Sequence, residues 1–392
     1  MINNMKYDYL IVGAGIVGLT IAYELNKRNS MLKIAIIEKE DDVAKHASGR
    51  NSGVLHAGFY YTENSLKAML TMLGNKKMKE FCYDNKIKVN KTEKIVVAQN
   101  KKELKTIDEL YRRAKKNGVD VSIISSKEVR KIDPNINTYK KALYSPTTAS
   151  VDPKQVCFKL KENLIDRGVE FKFNYSFDNI DFEYNYLINC AGLYADKIAK
   201  QFGLAKNYTI LPFRGAYLKY NGPEKIINRN VYPVPNLKNP FLGVHFTITS
   251  DNHIKIGPTA SPALWRENYG GLSRFSLKEF CSIVYYQGKL FLLNSFGFRG
   301  LAFDAIKNFF KRNIISSAGK LVYDVNNNFS NISPGIRAQL LDIKTNELVQ
   351  DFVIQHEKKS THILNAVSPA FTCSFAFASY TVDEIEKQKG KV

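Results

Sequence analysis

The sequence has no run of about 18 uninterrupted apolar residues, so no transmembrane helix is expected. It has no CxxC pair; its cysteines, Cys82, Cys157, Cys190, Cys281 and Cys373, are scattered. That spacing argues against a zinc site and suits reduced core thiols, hence an expected cytoplasmic setting. RRM, KH and zinc-finger signatures are missing, and there is no single basic tract. Acids are scarce: 37 Asp+Glu against 57 Lys+Arg leaves a net charge of +20. Such an excess suits an anionic partner or a solvated lysine surface. Lysines are dispersed, as in KNKKELK and IEKQKGK, which favours the surface reading, and no nucleic-acid partner is expected. The early apolar stretch YLIVGAGIVGLTIAY is broken by glycines and lacks a cleavage pattern, so it is not read as a signal peptide.

What is present is globular. Across 392 residues, 44% of them hydrophobic, helical and strand patterns alternate, enough for a large core and two domains. An apolar strand from Tyr7 to Val12 runs into Gly13-x-Gly15-x-x-Gly18. A helix pattern follows to about Arg28, then a strand from Lys33 to Ile37 that ends in Glu38. An acid 20 residues after Gly18, in a strand–turn–helix–strand context, is the expected spacing for a dinucleotide site. Gly13 permits the tight turn, Gly15 lets backbone approach a pyrophosphate, and Gly18 lets helix pack on strand. The helix start offers free N–H groups to phosphate. Glu38 suits a ribose diol and repels a 2′-phosphate.

FAD and NAD both fit that unit. No second fingerprint follows, and a late strand, Tyr186-Leu-Ile-Asn-Cys-Ala191-Gly192, runs into a helix pattern. This segment is similar to the returning strand of two-dinucleotide-fold flavoproteins, which favours FAD; an ordinary strand–turn–helix is the competing reading. The stretch HASGRNSGVLHAGFYYTENSLKA goes further. With SPTTASVDPKQV, ILPFRGAYLKY, VYPVPNLKNPFLGVHFT, IGPTA, SPGIRAQLLD and HILNAVSPAFTCSFAFASYTVDEI, it resembles L-2-hydroxyglutarate dehydrogenases/oxidases of the D-amino-acid-oxidase-like FAD superfamily, over nearly the whole chain.

The resemblance implies an α/β fold: a two-dinucleotide-binding, Rossmann-like FAD domain plus a mixed-sheet α+β substrate domain. The expected pieces are 1–75, 145–215 and 325–392 for the first and 76–144 and 216–324 for the second. It implies FAD beside Ser48, Arg50, Asn51, Ser52 and Gly53, with Ala191 and Gly192, and with Ala370 and Thr372 at the start of a C-terminal helix. His46 is expected near the flavin edge.

The implied reaction removes a hydride and a proton from a small anionic 2-hydroxy acid. Arg337, in a Gly-x-Arg element, matches the α-carboxylate clamp; capping a helix or pairing with Asp342 is its structural alternative. His56 is the candidate base, since imidazole titrates near working pH, and His245 is its rival. Arg214 and Tyr61 are expected to help bind substrate; Lys219 is expected at the surface. His253, His356 and His362 are assigned no chemistry. Three positions depart from the family pattern: Arg50, Ala216 and Thr259. A lost acid and a gained arginine fit a more anionic or larger substrate. The electron acceptor is expected to be a quinone or O2. Residues 280–312, rich in Phe and Leu beside Lys and Arg, read either as a peripheral contact on the inner face of a membrane or as helices packed on the substrate sheet. Competing functions are an amino-acid or amine oxidase of the same superfamily and a basic binding protein without flavin.

Overall fold

The computed structural model describes residues 6–237, 241–308 and 310–390. Lys238, Asn239 and Pro240 of the PVPNLKNPFLGVHFT motif, Phe309, and the terminal residues 1–5 and 391–392 of the expected domain pieces lie outside the described residues.

Two sheets organise the chain. The first has six strands in the order Val353–Glu357, Ser360–Asn365, Tyr184–Asn189, Tyr7–Val12, Ile34–Ile37 and Glu170–Lys172. Its four central neighbours run parallel: Tyr7–Val12 pairs with Ile34–Ile37 on one side and Tyr184–Asn189 on the other. The strand Ile-Ala-Ile-Ile is buried throughout, as a strand covered on both faces must be. Helices Ile16–Arg28, Leu66–Asp84, Pro153–Asp166 and Ala370–Lys389 contribute to one large core with this sheet. Local chemistry sets their ends. Asp152 accepts from the Lys154 and Gln155 N–H groups, and Pro153 fills the first turn, where its missing N–H costs nothing.

The second sheet is mixed. Its spine is the antiparallel pair Tyr208–Tyr220 and Phe329–Asp342, joined along both lengths, with a register shift between Gly215 and Tyr217. Ile254–Gly257, His245–Ile248, Asn230–Pro233, Lys94–Val97, Lys141–Ser145 and Ser122–Ser125 continue it in that order. KIVVAQ, VSIIS, AYLKY and the hairpin around His253 therefore share one sheet, as expected. The α/β class holds.

The described residues of 280–312 contribute to helices Leu277–Leu293 and Phe298–Lys307 and the start of Lys311–Ala318. They bury Ile283, Leu290 and Phe298 but expose Tyr285, Leu292, Leu293, Phe303 and Ile306. Among the described residues no helix is long and apolar enough to cross a membrane.

Candidate active site

Both sheets contribute walls to a cavity of about 660 Å³. The dinucleotide turn supplies Gly13 and Gly15, and the second strand ends there in Glu38. Gly13 has φ +104°, and a Cβ on it would lie 2.6 Å from the Cys190 carbonyl oxygen. No other residue fits that approach of the two parallel strands. Gly18 does not line the cavity; it packs on the Gly13 carbonyl, the structural part expected of it. The Ile16 N–H, at the helix start, donates to Ser48 Oγ at 2.9 Å. Glu38 accepts from Ala14 N–H at 2.9 Å and Glu40 N–H at 3.1 Å, which fixes the carboxylate while leaving acceptor capacity for a diol.

The Ser/Gly/Asn run is short because backbone packs against backbone. Its Ala47–Gly49 turn leads to Arg50, whose carbonyl oxygen would sit 2.4 Å from a Cβ on Gly335. Ser48, Arg50, Asn51 and Ser52 line the cavity, as do Ala191, Gly192, Ala370 and Thr372. Gly53 does not. Its carbonyl accepts from Val151 N–H and its N–H donates to Asn51 Oδ1, so it ties two segments together behind the wall. The extended, glycine-lined wall and an open helix start fit a dinucleotide's pyrophosphate and a flat ring.

A clasp that sequence reading missed joins the loop 264–276 to residues 39–46 beside the cavity. Arg274 grips Glu40 at 2.8 Å and Glu267 at 2.6 Å, and Lys39 meets Glu267 at 2.7 Å. His46 bonds Tyr269 through Nδ1 at 2.8 Å and Glu40 through Nε2 at 2.9 Å. Both its ring nitrogens are committed, although the ring lines the cavity. The Arg50 guanidinium lies 4.3 Å from the centroid of the Tyr269 ring. The Arg274 guanidinium and its neighbours hold the Glu40 carboxyl well below the usual carboxylate range.

The second sheet brings Tyr217, Tyr232, His245 and Arg337 to the same cavity, where His56 joins them. Arg337 sits on the strand Phe329–Asp342 opposite Phe213, its guanidinium 5.4 Å from the Phe241 ring. It forms no ion pair among the described residues, so the Asp342 alternative fails. Burial draws its pKa down.

His245 stacks on Tyr232 at 3.8 Å between centroids, and its Nδ1 meets the Gly243 carbonyl at 2.8 Å. A carbonyl only accepts, so Nδ1 carries the proton and Nε2 is the bare acceptor. Burial lowers the His245 pKa to about 3. His56 is pinned through its backbone, its N–H on Thr372 Oγ1 and its carbonyl on Asn75. Its Nδ1 lies 3.2 Å from Lys94 Nζ, and its Nε2 has no partner among the described residues. Burial holds its pKa well below the ordinary value. Lys94 is the largest omission of the sequence reading: it is fully buried, with a pKa lowered to about 7 by that burial.

Two expected substrate contacts are corrected. Arg214 does not line the cavity. Strand alternation sends Gly215 and Tyr217 to the wall and Arg214 to the opposite face. Tyr61 is also behind the wall, near enough to Arg337 to feel its charge but not facing the cavity. Of the three departures, only Arg50 lines the cavity. Ala216 and Thr259 bond to each other one residue behind it, at 3.0 and 3.1 Å. The lost acid therefore does not change the wall's charge directly.

The chain matches the model of the family FAD dependent oxidoreductase over residues 8–382. It is 39% identical to the mitochondrial L-2-hydroxyglutarate dehydrogenase of Caenorhabditis briggsae, covering 97% of this chain and 93% of that one. It is 31% identical to the L-2-hydroxyglutarate dehydrogenase of Escherichia coli O17:K52:H18, with the same coverage. Among solved structures it is similar to an FAD-bound L-α-glycerophosphate oxidase of Mycoplasma pneumoniae, with a TM-score of 0.72 at 23% identity over 96% of this chain and 94% of that one. That last likeness concerns fold. The expected cytoplasmic placement is overturned, since several relatives of comparable identity are mitochondrial. Cys82, Cys157 and Cys373 are buried and unpaired, and core thiols of that kind carry no mark of compartment.

Proposed function

Because this chain belongs to the FAD-dependent oxidoreductases, and within them to the L-2-hydroxyglutarate dehydrogenases, we propose that it oxidises L-2-hydroxyglutarate to 2-oxoglutarate. FAD is its cofactor; Gly13, Gly15, Glu38, Ser48 and the wall from Arg50 to Ser52 would hold it. When bound, FAD supplies the hydride acceptor, flavin N5. The observation that carries the reading is one cavity holding the glycine turn, a half-buried arginine without an acidic partner among the described residues, and a histidine with a free Nε2.

The protein's own part follows from those groups. Arg337 grips the α-carboxylate through two parallel N–H donors, which orients the α-carbon. His56 Nε2 accepts the hydroxyl proton. His245 Nε2 accepts a hydrogen bond in the same space, but its low basicity makes it a poor proton store. The first turn of Ala370–Lys389 lends its positive dipole end to negative charge that develops beside it. The division into 1–75, 145–215 and 325–392 against 76–144 and 216–324 belongs to the same reading, with the long strand Tyr208–Tyr220 passing through the boundary after 215.

An anaerobic absorbance titration tests the function. A flavin spectrum that bleaches with L-2-hydroxyglutarate and not with the D form is the expected result. A flavin that stays oxidised with both would defeat this substrate.

The electron acceptor is read as a quinone reached from an anionic membrane surface, with O2 as the alternative. The support is that helices Leu277–Leu293 and Phe298–Lys307 expose Tyr285, Leu292, Leu293, Phe303 and Ile306 as well as Lys278, Arg299 and Lys307, on a chain of net charge +20. Co-sedimentation with phosphatidylglycerol liposomes is expected at low salt and is expected to weaken as salt rises. Full recovery in the supernatant would leave O2 as the acceptor.

A further inference from the structure

Lys94 opens the strand Lys94–Val97, between Asn230–Pro233 and Lys141–Ser145 in the mixed sheet. Its ammonium group has no exposure and no acid to answer it: it forms no ion pair among the described residues. Its surroundings are aromatic, with Nζ 4.2 Å from the Tyr232 ring centroid, 5.3 Å from Tyr60 and 5.6 Å from Phe59. Among the described residues, the polar side chain in reach is the His56 ring, at Nδ1. Lys94 does not line the cavity; it stands behind His56, which does. A lysine buried without a carboxylate is a costly choice unless its proton is used.

The arrangement poses a problem for His56 alone. An imidazole whose protonated form is disfavoured by burial, and by the positive charges of Lys94 and Arg337, is a weak base. We propose that Lys94 is the positioning residue behind His56 and the final holder of the substrate proton, an inference that rests on reading His56 as the proton acceptor. Neutral Lys94 accepts the Nδ1–H of His56, so the Nε2 lone pair faces the cavity. As the substrate carbon gives up its hydride, the hydroxyl O–H bond breaks and its proton forms the Nε2–H bond. The Nδ1–H proton passes to Nζ, and the amine becomes an ammonium. One proton leaves the substrate and one arrives on lysine; the imidazole ends neutral with its tautomer exchanged.

The remaining groups around the pair do not compete for that proton. Burial raises the Tyr60 and Tyr232 phenols, which stay neutral, and no carboxylate contacts Lys94 among the described residues. The Lys94 pKa of about 7 then sets the sign of the pH effect. Below it the ammonium donates to Nδ1, Nε2 carries the hydrogen, and the base is lost. Above it the base is present.

The test compares wild type, Lys94→Met and Lys94→Arg as purified holoenzymes with L-2-hydroxyglutarate. In wild type, kcat/KM is expected to fall about tenfold per pH unit below pH 7. Lys94→Met is expected to lose about 100-fold in kcat with KM within threefold, and to lose that acid limb. Lys94→Arg keeps the charge but cannot become a neutral acceptor, so it is expected to be no better than Met. Rescue by Arg, or an increase confined to KM, would overturn the proposal in favour of a carboxylate-binding lysine. An unshifted pH profile with kcat within threefold would leave Lys94 structural. A second readout needs no turnover. In ¹⁵N-histidine-labelled protein, the His56 signal, assigned with His56→Asn, should show protonated Nδ1 and bare Nε2 above pH 7 and the reverse below. A fixed tautomer across that range would sink the relay even if activity were low for another reason. If His56→Asn keeps wild-type kcat while the wild-type tautomer still switches, the base assignment has failed and the Lys94 contact has not.

Discussion

Replacing Arg337 with alanine is expected to lower kcat/KM for L-2-hydroxyglutarate by about 30- to 4,000-fold, through both a higher KM and a lower kcat. The size follows from leaving a carboxylate without its partner in a desolvated site, which costs about 2–5 kcal/mol, at about 1.4 kcal/mol per tenfold. Both constants move because the clamp orients the reacting carbon as well as holding the molecule. The Arg337→Lys variant would recover little, since an ammonium is a point charge without the planar fork. The control lies in stability. Arg337 forms no ion pair among the described residues, and burial already disfavours its charge. Its removal should therefore leave Tm unchanged or raise it, and flavin content should not change. Activity within fivefold of wild type would place the carboxylate grip elsewhere in the cavity. A large drop in Tm would instead mark Arg337 as a structural residue.

The place of Arg337 beside the glycine turn and His56 was legible in the sequence and the buried place of Lys94 was not, for a physical reason. Gly335 and Arg337 form a local pattern, and the glycine is needed because the Arg50 backbone presses on it. The dinucleotide turn is equally local: strand, turn, helix and Glu38 lie within about 32 residues, and each part matched the expected position. Lys94 has no such pattern. In KTEKIVVAQ it reads as the polar lead-in to a strand, and only a central place in the mixed sheet buries it. Its contact with His56 spans 38 residues of sequence, and its aromatic cage comes from Phe59 and Tyr60 just beyond that histidine and from Tyr232 on another strand. The clasp is less local still, since Glu40 and Arg274 are 234 residues apart. Arg214 and Tyr61 failed for the opposite reason. Proximity in sequence to wall residues was real, but one step along a strand turns Arg214 to the other face, and Tyr61 lies in the connection between Val54–Leu55 and Leu66–Asp84, off the wall. Ala216 and Thr259 add a subtler case: two departures from the family pattern that bond to each other change the support of the wall rather than its surface.

His56→Ala is expected to lower kcat by about 100- to 10,000-fold, the usual worth of a positioned proton acceptor. KM should change far less, because the charge proposed to hold the substrate is on Arg337. The outcome separates two chemistries that share this fold. An amine substrate already neutral at nitrogen has no hydroxyl proton to lose, so an amine oxidase would tolerate the change within about tenfold. A hydroxy acid must lose that proton, and no other cavity histidine among the described residues replaces His56: His46 has both nitrogens committed, and His245 is held near a pKa of about 3. Free imidazole should restore part of the lost rate, since the alanine variant leaves room for a ring on the cavity wall. The double variant His56→Ala with Lys94→Met carries the strongest constraint. Groups that act as one unit do not add. If the proton passes through the imidazole to the lysine, removing the lysine from an enzyme that already lacks the imidazole should cost almost nothing further in kcat. If the two residues acted separately, the losses would multiply, to about 10,000-fold or more, and the two side chains would have to be assigned independent roles.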